Sequence, residues 1–474
     1  MSKRFLKFLA LTMAAMMIFA LSGCGSSKNE EASADSQTKA GTQSEVKDVN
    51  TAQAAEKVKL SIMSGARHDM DFMNAAFVSF MEKNPDIEIE YQVMTDNYNQ
   101  VLELAFKTGQ APDIIEVSAW GAYNKAFDMD ALEPLNDYMT PEFKAKFGEN
   151  AFVEGVNMEA GKIYTAKVAG QTSRLIYNKE IMKKAGITEL PKTMDEFVDQ
   201  AKLITEKLKG EGIYGTALNL KNPESGLTRS LNYVAMKSEL SYKGFDFKTG
   251  QYDFKPFKPL LQVYKRLFDE KIIFPGSESL DIDPLRSQFA NGKIGMYLCW
   301  NAFEPNVFKA QFPTNIDWQI GPIPSLKADD NGKLWLDEGR RWAMSSQSEH
   351  KKEAWRVLEF LFSDEHLKGY IEAGLGVTSL PSLKNVESEF SKKYPYMKFD
   401  EGDAPYPAAP NNVKPEGKSY YQVFVDYLLG GISDLDGALE DLNKRYNAGY
   451  EKAIADGATK KIVIPDFTYE QPIK

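Results

Sequence analysis

From Val58 onward, apolar residues recur with two alternating periods, one near two residues and one between three and four. "VKLSIMSG" (58–65) predicts a short strand ending in glycine. "MDFMNAAFVSFMEKNP" predicts a helix with Phe72, Ala76, Ser79 and Phe80 close to one face, stopped by Asn84-Pro85. "IEIEYQVM" (87–94) alternates as a strand does. "NYNQVLELAFKTGQAPD" predicts a second helix, ended by Gly109 and Pro112, and "DIIEVS" (113–118) a third strand. Strand, helix, strand, helix, strand is the order of a parallel, doubly wound sheet. Ligands of such sheets sit beyond the carboxyl ends of the strands, here the loops after Met63 and Val117.

The pattern then starts again. "QTSRLIYNKEIMKKAGI" predicts a strand, Asn178, and a helix ending at Gly186. "PKTMDEFVDQAKLITEKLK" predicts an amphipathic helix entered through Pro191 and Thr193, and "YGTALNL" (214–220) a strand. "YKGFDFKTGQYDF" reads as a hairpin around Lys248-Thr249-Gly250. Further on come a helix in "KPLLQVYKRLFDEKII" and a helix, turn and strand in "PLRSQFANGKIGMYLCW". "IDWQIGPIPS" and "RRWAMSS" predict strands, and "EHKKEAWRVLEFLFSDEHLKGYIEA" one long helical stretch. The last segments predict two helices separated by Gly430-Gly431.

The chain of 474 residues is long enough for two or more lobes. Its net charge of −10 argues against a nucleic-acid partner, which needs a basic face. Three histidines and two cysteines, with no Cys-x-x-Cys or His-x-x-x-His spacing, leave little material for a metal site, and no cofactor is expected. The N-terminus changes the picture more. "MSKRFLK" is basic, and the apolar run after it is too short for a transmembrane span of ~20 residues. Leu21-Ser22-Gly23-Cys24 resembles a bacterial lipobox, which implies cleavage before Cys24 and diacylation of its thiol. The tail from Gly25 to Glu56 has no aromatic residue, leucine or isoleucine, so it is expected to be a disordered tether. Cys299, in an apolar strand, reads as a buried free thiol rather than a partner of Cys24.

Four segments, taken in order, resemble one family. They are "NQVLELAFKTGQAPDII", "LIYNKEIMKKAGITELPKTMDEFVDQAKLIT", "FANGKIGMYLCW" and "RRWAMSSQSEHKKEAWRVLEFLFSDE". The chain resembles extracellular solute-binding proteins of the carbohydrate ABC-transporter class, the maltose-binding-protein-like group. The resemblance implies a two-lobed periplasmic-binding-protein-like α/β fold of type II, with two hinged doubly wound sheets and a sugar closed between them. It implies an ABC permease as membrane partner, a monomer, and no catalysis. The expected organisation is signal peptide 1–23, lipidated Cys24 and tether 24–56, lobe one 57–168 plus 325–372, and lobe two 169–324 plus 373–474. Crossings are expected near 169–170, 322–324 and 374–376, where glycines suit a hinge.

A sugar presents hydroxyls and apolar C–H faces, so its site needs carboxylates, amides, guanidinium forks and flat rings. Ser64, Arg67, His68 and Asp69 crowd the loop after the first strand. Asp113 opens the third strand, either as a ligand contact or as a brace, and Trp120 lies in the loop beyond it. Gln171 and Arg174 flank the first crossing. The family resemblance puts stacking aromatics at Trp300, beside Asn301, and at Tyr420. In "EGRRWAM" the family's Gly-Gly-Trp-Gly is replaced, so Arg340 stands where an aromatic platform is common, before Trp342. An arginine there suggests an oligosaccharide bearing an acidic group; the plainer reading pairs Arg341 with Asp337 or Glu338. Competing functions are a binding protein for a non-sugar solute and a secreted glycosidase, which needs two carboxylates about 5.5 Å or 6.5 to 9.5 Å apart.

Overall fold

The computed structural model describes residues 57–94, 97–117, 130–148, 151–338, 341–410 and 412–473. Two four-stranded sheets organise them. The first contains β1 (Val58–Ser64), β2 (Ile87–Val93), β3 (Ile114–Glu116) and, from far along the chain, β8 (Trp342–Met344). Its order is β8-β3-β1-β2. β1 pairs in parallel with β2 from Val58↔Ile87 to Ser64↔Val93, and with β3 at Ile62↔Ile114. β8 closes the edge antiparallel, with Trp342 opposite Glu116. β3 is short and wholly buried, as a central strand covered on both faces must be. Helices Met70–Lys83 and Lys351–Leu361 pack Phe77, Phe80, Leu358 and Leu361 against Leu60, Ile62 and Trp342.

The second sheet contains β4 (Ser173–Asn178), β5 (Tyr214–Thr216), β6 (Ile294–Trp300) and β7 (Trp318–Gly321), in the order β7-β4-β6-β5. β6 runs antiparallel to β4 and parallel to β5. Local chemistry sets the helix ends around it. The Asn178 side chain caps helix Lys179–Ala185, which stops at Gly186 with φ of 81°. Thr193 and Glu196 form a reciprocal capping box on helix Met194–Leu208. The 351–372 stretch is two helices rather than one, because the Ser363 side chain accepts from His366 N and starts a new helix there.

Three chain crossings run side by side between the lobes. Val168 N donates to Glu338 O (2.9 Å), Gly170 N to Val377 O (2.6 Å), and Asp337 N to Gln171 O (2.9 Å). The expected second crossing is misplaced in the sequence reading, for residues 325–336 stay with the second lobe. Ser325 bridges Thr193, Leu326 N donates to Ser238 Oγ, and Leu334–Trp335 pairs with Asp403–Ala404. Leu334 joins the second lobe's core, which holds that stretch there until Asp337. Among the described residues no helix is long and apolar enough to cross a membrane.

Candidate functional site

A recess lined by aromatic rings begins at the end of β6. Six of its seven residues are buried, and the seventh, Trp300, emerges half-buried at the strand's C-terminal end. There it lines a cavity of about 250 Å³ together with Trp335, Tyr242 and Tyr406. Trp335 and Tyr242 lean on each other with ring centroids 5.6 Å apart. Tyr233, Tyr252 and Tyr446 complete the aromatic lining, and Glu224, Thr228, Lys243, Asp337 and Asn412 supply polar groups. Burial raises the phenols of Tyr233, Tyr252 and Tyr406 above their ordinary pKa, so they stay protonated donors. Rings with scattered carboxylates and amides suit a molecule that has both hydroxyls and C–H faces.

Several elements deliver these groups. Helices Pro223–Arg229 and Leu231–Lys237 carry Glu224, Thr228 and Tyr233. Asp337, bridged to Gln171 at the crossing, forms part of one wall. From the first lobe, Val156 reaches the cavity, and Gly155 lies so close to Ala408 that an added Cβ would sit 2.9 Å from that side chain. Lys460 of the second lobe pairs with Glu154 (3.6 Å) and Glu159 (3.4 Å) on the same first-lobe hairpin.

The loop after β1 makes a second bridge between lobes. Arg67 Nη2 lies 3.2 Å from Asp283 Oδ2, and the His68 ring sits 4.3 Å from that of Phe303. Asn306 Nδ2 donates to His68 O at 3.1 Å. Phe303 in turn meets Trp300 edge-on at 6.2 Å, which connects this loop to the cavity wall. Beneath the loop lies a buried charge cluster. Glu116 accepts from Ser64 Oγ (2.5 Å), Gly65 N (2.8 Å) and Ala66 N (3.1 Å), and pairs with Arg341 Nε at 3.2 Å. Arg341 also binds Asp69 and donates to Tyr370 Oη at 2.8 Å. Burial alone would raise Asp69, but Arg341, His68 and the hydrogen bonds from Arg341 and Tyr370 hold its carboxyl below the usual range. Burial lowers His68, against the pull of Asp69, and it drives His366 down to about 3, so the His366 imidazole is neutral.

Of the residues singled out from sequence, Trp300 lines the cavity, and Arg67 and His68 reach across to the other lobe. Gln171 sits at the crossing beside Asp337, its buried Oε1 without a hydrogen-bond partner. The rest require correction, because their polar groups are engaged inside the fold. Ser64 and Asp69 belong to the charge cluster. Asp113 is the brace: its carboxylate accepts from Ser61 N (2.8 Å), Ser61 Oγ (3.0 Å) and Ser348 Oγ (2.6 Å). Arg174 forks onto Asp403 at 2.9 and 2.5 Å. Asn301 joins Thr172 N to Met397 O. Trp342 is core, 1% exposed. Tyr420 is buried beneath the cavity floor, accepting from Asn232 and packed against Tyr446, so it offers no free face. Arg341 pairs with Asp69 and Glu116, not with Asp337 or Glu338. Trp120, Arg340 and Cys24 lie outside the described residues. Trp335, Asp337, Tyr242 and Tyr406 line the cavity without having been singled out from sequence; "LWLDEG" (334–339), an indole and two leucines beside two acids, was the available signal.

Two α/β lobes joined by three crossings over an aromatic recess define a two-lobed solute-binding protein of type II. Residues 64–368 match the family described as bacterial extracellular solute-binding protein, and the chain belongs to that family. Over 313 residues it is 26% identical to a binding protein of Brucella abortus strain 2308, covering 66% of this chain and 73% of that one. Over 343 residues it is 22% identical to the melibiose/raffinose/stachyose-binding protein MelE of Bacillus subtilis strain 168, covering 69% and 75%. Its fold is similar to that of the maltose/maltodextrin-binding domain MalE from Bdellovibrio bacteriovorus bound to maltotriose. The TM-score is 0.65 at 18% identity, over 84% of this chain and all (100%) of that one.

Proposed function

We propose that this protein is the substrate-binding component of an ABC importer, capturing an oligosaccharide between its lobes and delivering it to a membrane permease. The observation that carries the reading is the cavity at Trp300, where rings and carboxylates stand together at the crossing between lobes. The names of similar proteins, for melibiose, raffinose and stachyose and for maltodextrin, support a sugar over another solute. Closure follows from linkage: a ligand touching both lobes favours the closed arrangement by its differential affinity. Trp300, Trp335, Tyr242 and Tyr406 are the stacking surfaces; Glu224, Asp337 and Gln171 bind hydroxyls; Arg67 and His68 help hold the lobes together. Catalysis is no part of this role. The chain acts as a monomer, held at the outer membrane face by diacylated Cys24 and its tether.

Thermal-shift and calorimetric titration with raffinose, stachyose, maltotriose and xylotriose tests the reading. It predicts stabilisation by at least one of these, with no new reducing ends after long incubation. A shift only with amino acids, peptides or polyamines would sink it. For the anchor, Cys24→Ala should release the protein from the membrane fraction into the medium; retention of the variant would refute the lipid link.

A further inference from the structure

Behind Trp300 lies a cation that has no ion-pair partner among the described residues. Arg229, the last residue of helix Pro223–Arg229, is only 7% exposed. Its guanidinium carbon sits 4.3 Å from the centre of the Trp300 ring. Its Nε and Nη1 have no hydrogen-bond partner. The carboxylates whose charge reaches it, Glu304 and Asp281, and the neighbouring Asp283 make their hydrogen bonds to other groups. Glu304 is fully buried and taken by Arg286 Nε (3.0 Å), Arg286 Nη2 (2.5 Å) and Tyr297 Oη (2.5 Å). Asp281 caps the helix starting at Ile282, accepting from Ile282 N at 2.9 Å. Asp283 is shared between Arg67 (3.2 Å) and Arg286 (3.2 Å).

An unpaired buried charge carries a penalty of several kcal/mol, and a buried donor without an acceptor adds to it. Stacking on an indole offsets only part of this, about 2 kcal/mol when desolvated. Hydroxyls could accept from the free N–H groups but would leave the charge uncompensated. An arriving anion answers both. Thr228, next in the chain, and Trp300, the stacking partner, both line the cavity, so the cation lies one side chain behind its wall.

We infer that Arg229 is reserved for an anionic substituent of the bound saccharide, seated beside Trp300. The substrate class is thereby narrowed to acidic oligosaccharides, carrying a uronate carboxylate or a sulfate ester. The inference rests on the sugar-binding reading above and locates the acidic specificity at Arg229, on the helix Pro223–Arg229.

Calorimetric titration of the full chain with matched pairs tests it. The pairs are digalacturonate and its methyl ester, glucuronyl-xylobiose and xylotriose, and sulfated and plain galactobiose. A charge-assisted hydrogen bond of 1.5 to 3 kcal/mol predicts that the acidic member of at least one pair binds about 10- to 100-fold tighter. The pair showing it tells carboxylate from sulfate. Arg229→Met should erase that gap and Arg229→Lys should keep part of it, in protein whose circular dichroism matches the unsubstituted chain. Equal binding within every pair, or preference for the neutral member, overturns the inference and leaves the sugar reading standing. Binding of no saccharide, neutral or acidic, overturns both. Should Arg229→Met fail to fold, the comparison within pairs on the unsubstituted chain still decides.

Discussion

Replacing Arg341 by methionine keeps most of the side chain's volume and removes the cation shared by Asp69 and Glu116. Both carboxylates are buried, and Arg341 itself keeps only 13% of its side chain exposed. Removing one member of such a group strands uncompensated charge, which costs about 3–5 kcal/mol. At roughly 2–4 °C per kcal/mol, the melting temperature of the first lobe should fall by about 6–20 °C. The pH dependence supplies a sharper check. In the native protein Asp69 titrates below its ordinary value, so its contribution is present above about pH 4 and is lost as pH falls through the lowered pKa. In the variant burial, which raises a carboxyl, acts on Asp69 against only His68 and the Tyr370 hydrogen bond. The penalty is then felt in full near neutrality and relieved on acidification. Urea unfolding followed by circular dichroism from neutral pH toward about pH 4 should show the gap between the two proteins narrowing. A gap below about 1 kcal/mol, or one that does not change with pH, would refute the reasoning.

Other outcomes follow from the same geometry. Trp300→Ala should weaken saccharide binding roughly 10- to 100-fold by calorimetry, and loss of the ring from the Arg229 guanidinium, about 2 kcal/mol, should lower the melting temperature of the free protein by about 4–8 °C. Gly170→Ala would place a Cβ 1.9 Å from the carbonyl oxygen of Asp337 at the crossing; loss of about 1–3 kcal/mol in denaturant unfolding, with weakened ligand binding, is the expected result. The Cys299 thiol, fully buried and pushed up to about 12, should not react with Ellman's reagent in the native protein at neutral pH and should react at once in concentrated guanidinium chloride.

The succession of elements was legible because periodicity and capping are local. The strand-helix-strand order of the first lobe, the Thr193 capping box, the Asn178 cap and the Gly186 stop each depend on residues within a few positions of one another. The same locality explains the gaps. Helices Pro223–Arg229 and Leu231–Lys237 were not predicted: Pro223, Ser225 and Gly226 break the pattern in the first turn of one, and the other is only 7 residues long; with them went Glu224, Thr228 and Arg229.

What tertiary structure alone decided is which polar side chains are engaged within the fold and which are left for a ligand. Arg174 has the composition of a binding residue, yet Asp403, more than two hundred positions along the chain, claims it. Asp113 is fixed by Ser61 and Ser348, and Tyr420 by Asn232, all distant in sequence. Conversely, Trp335 and Asp337 come to the cavity because a chain segment stays with the second lobe until the crossing. A buried polar group must find its partner wherever the fold places one, so its role depends on long-range contacts that no local pattern records.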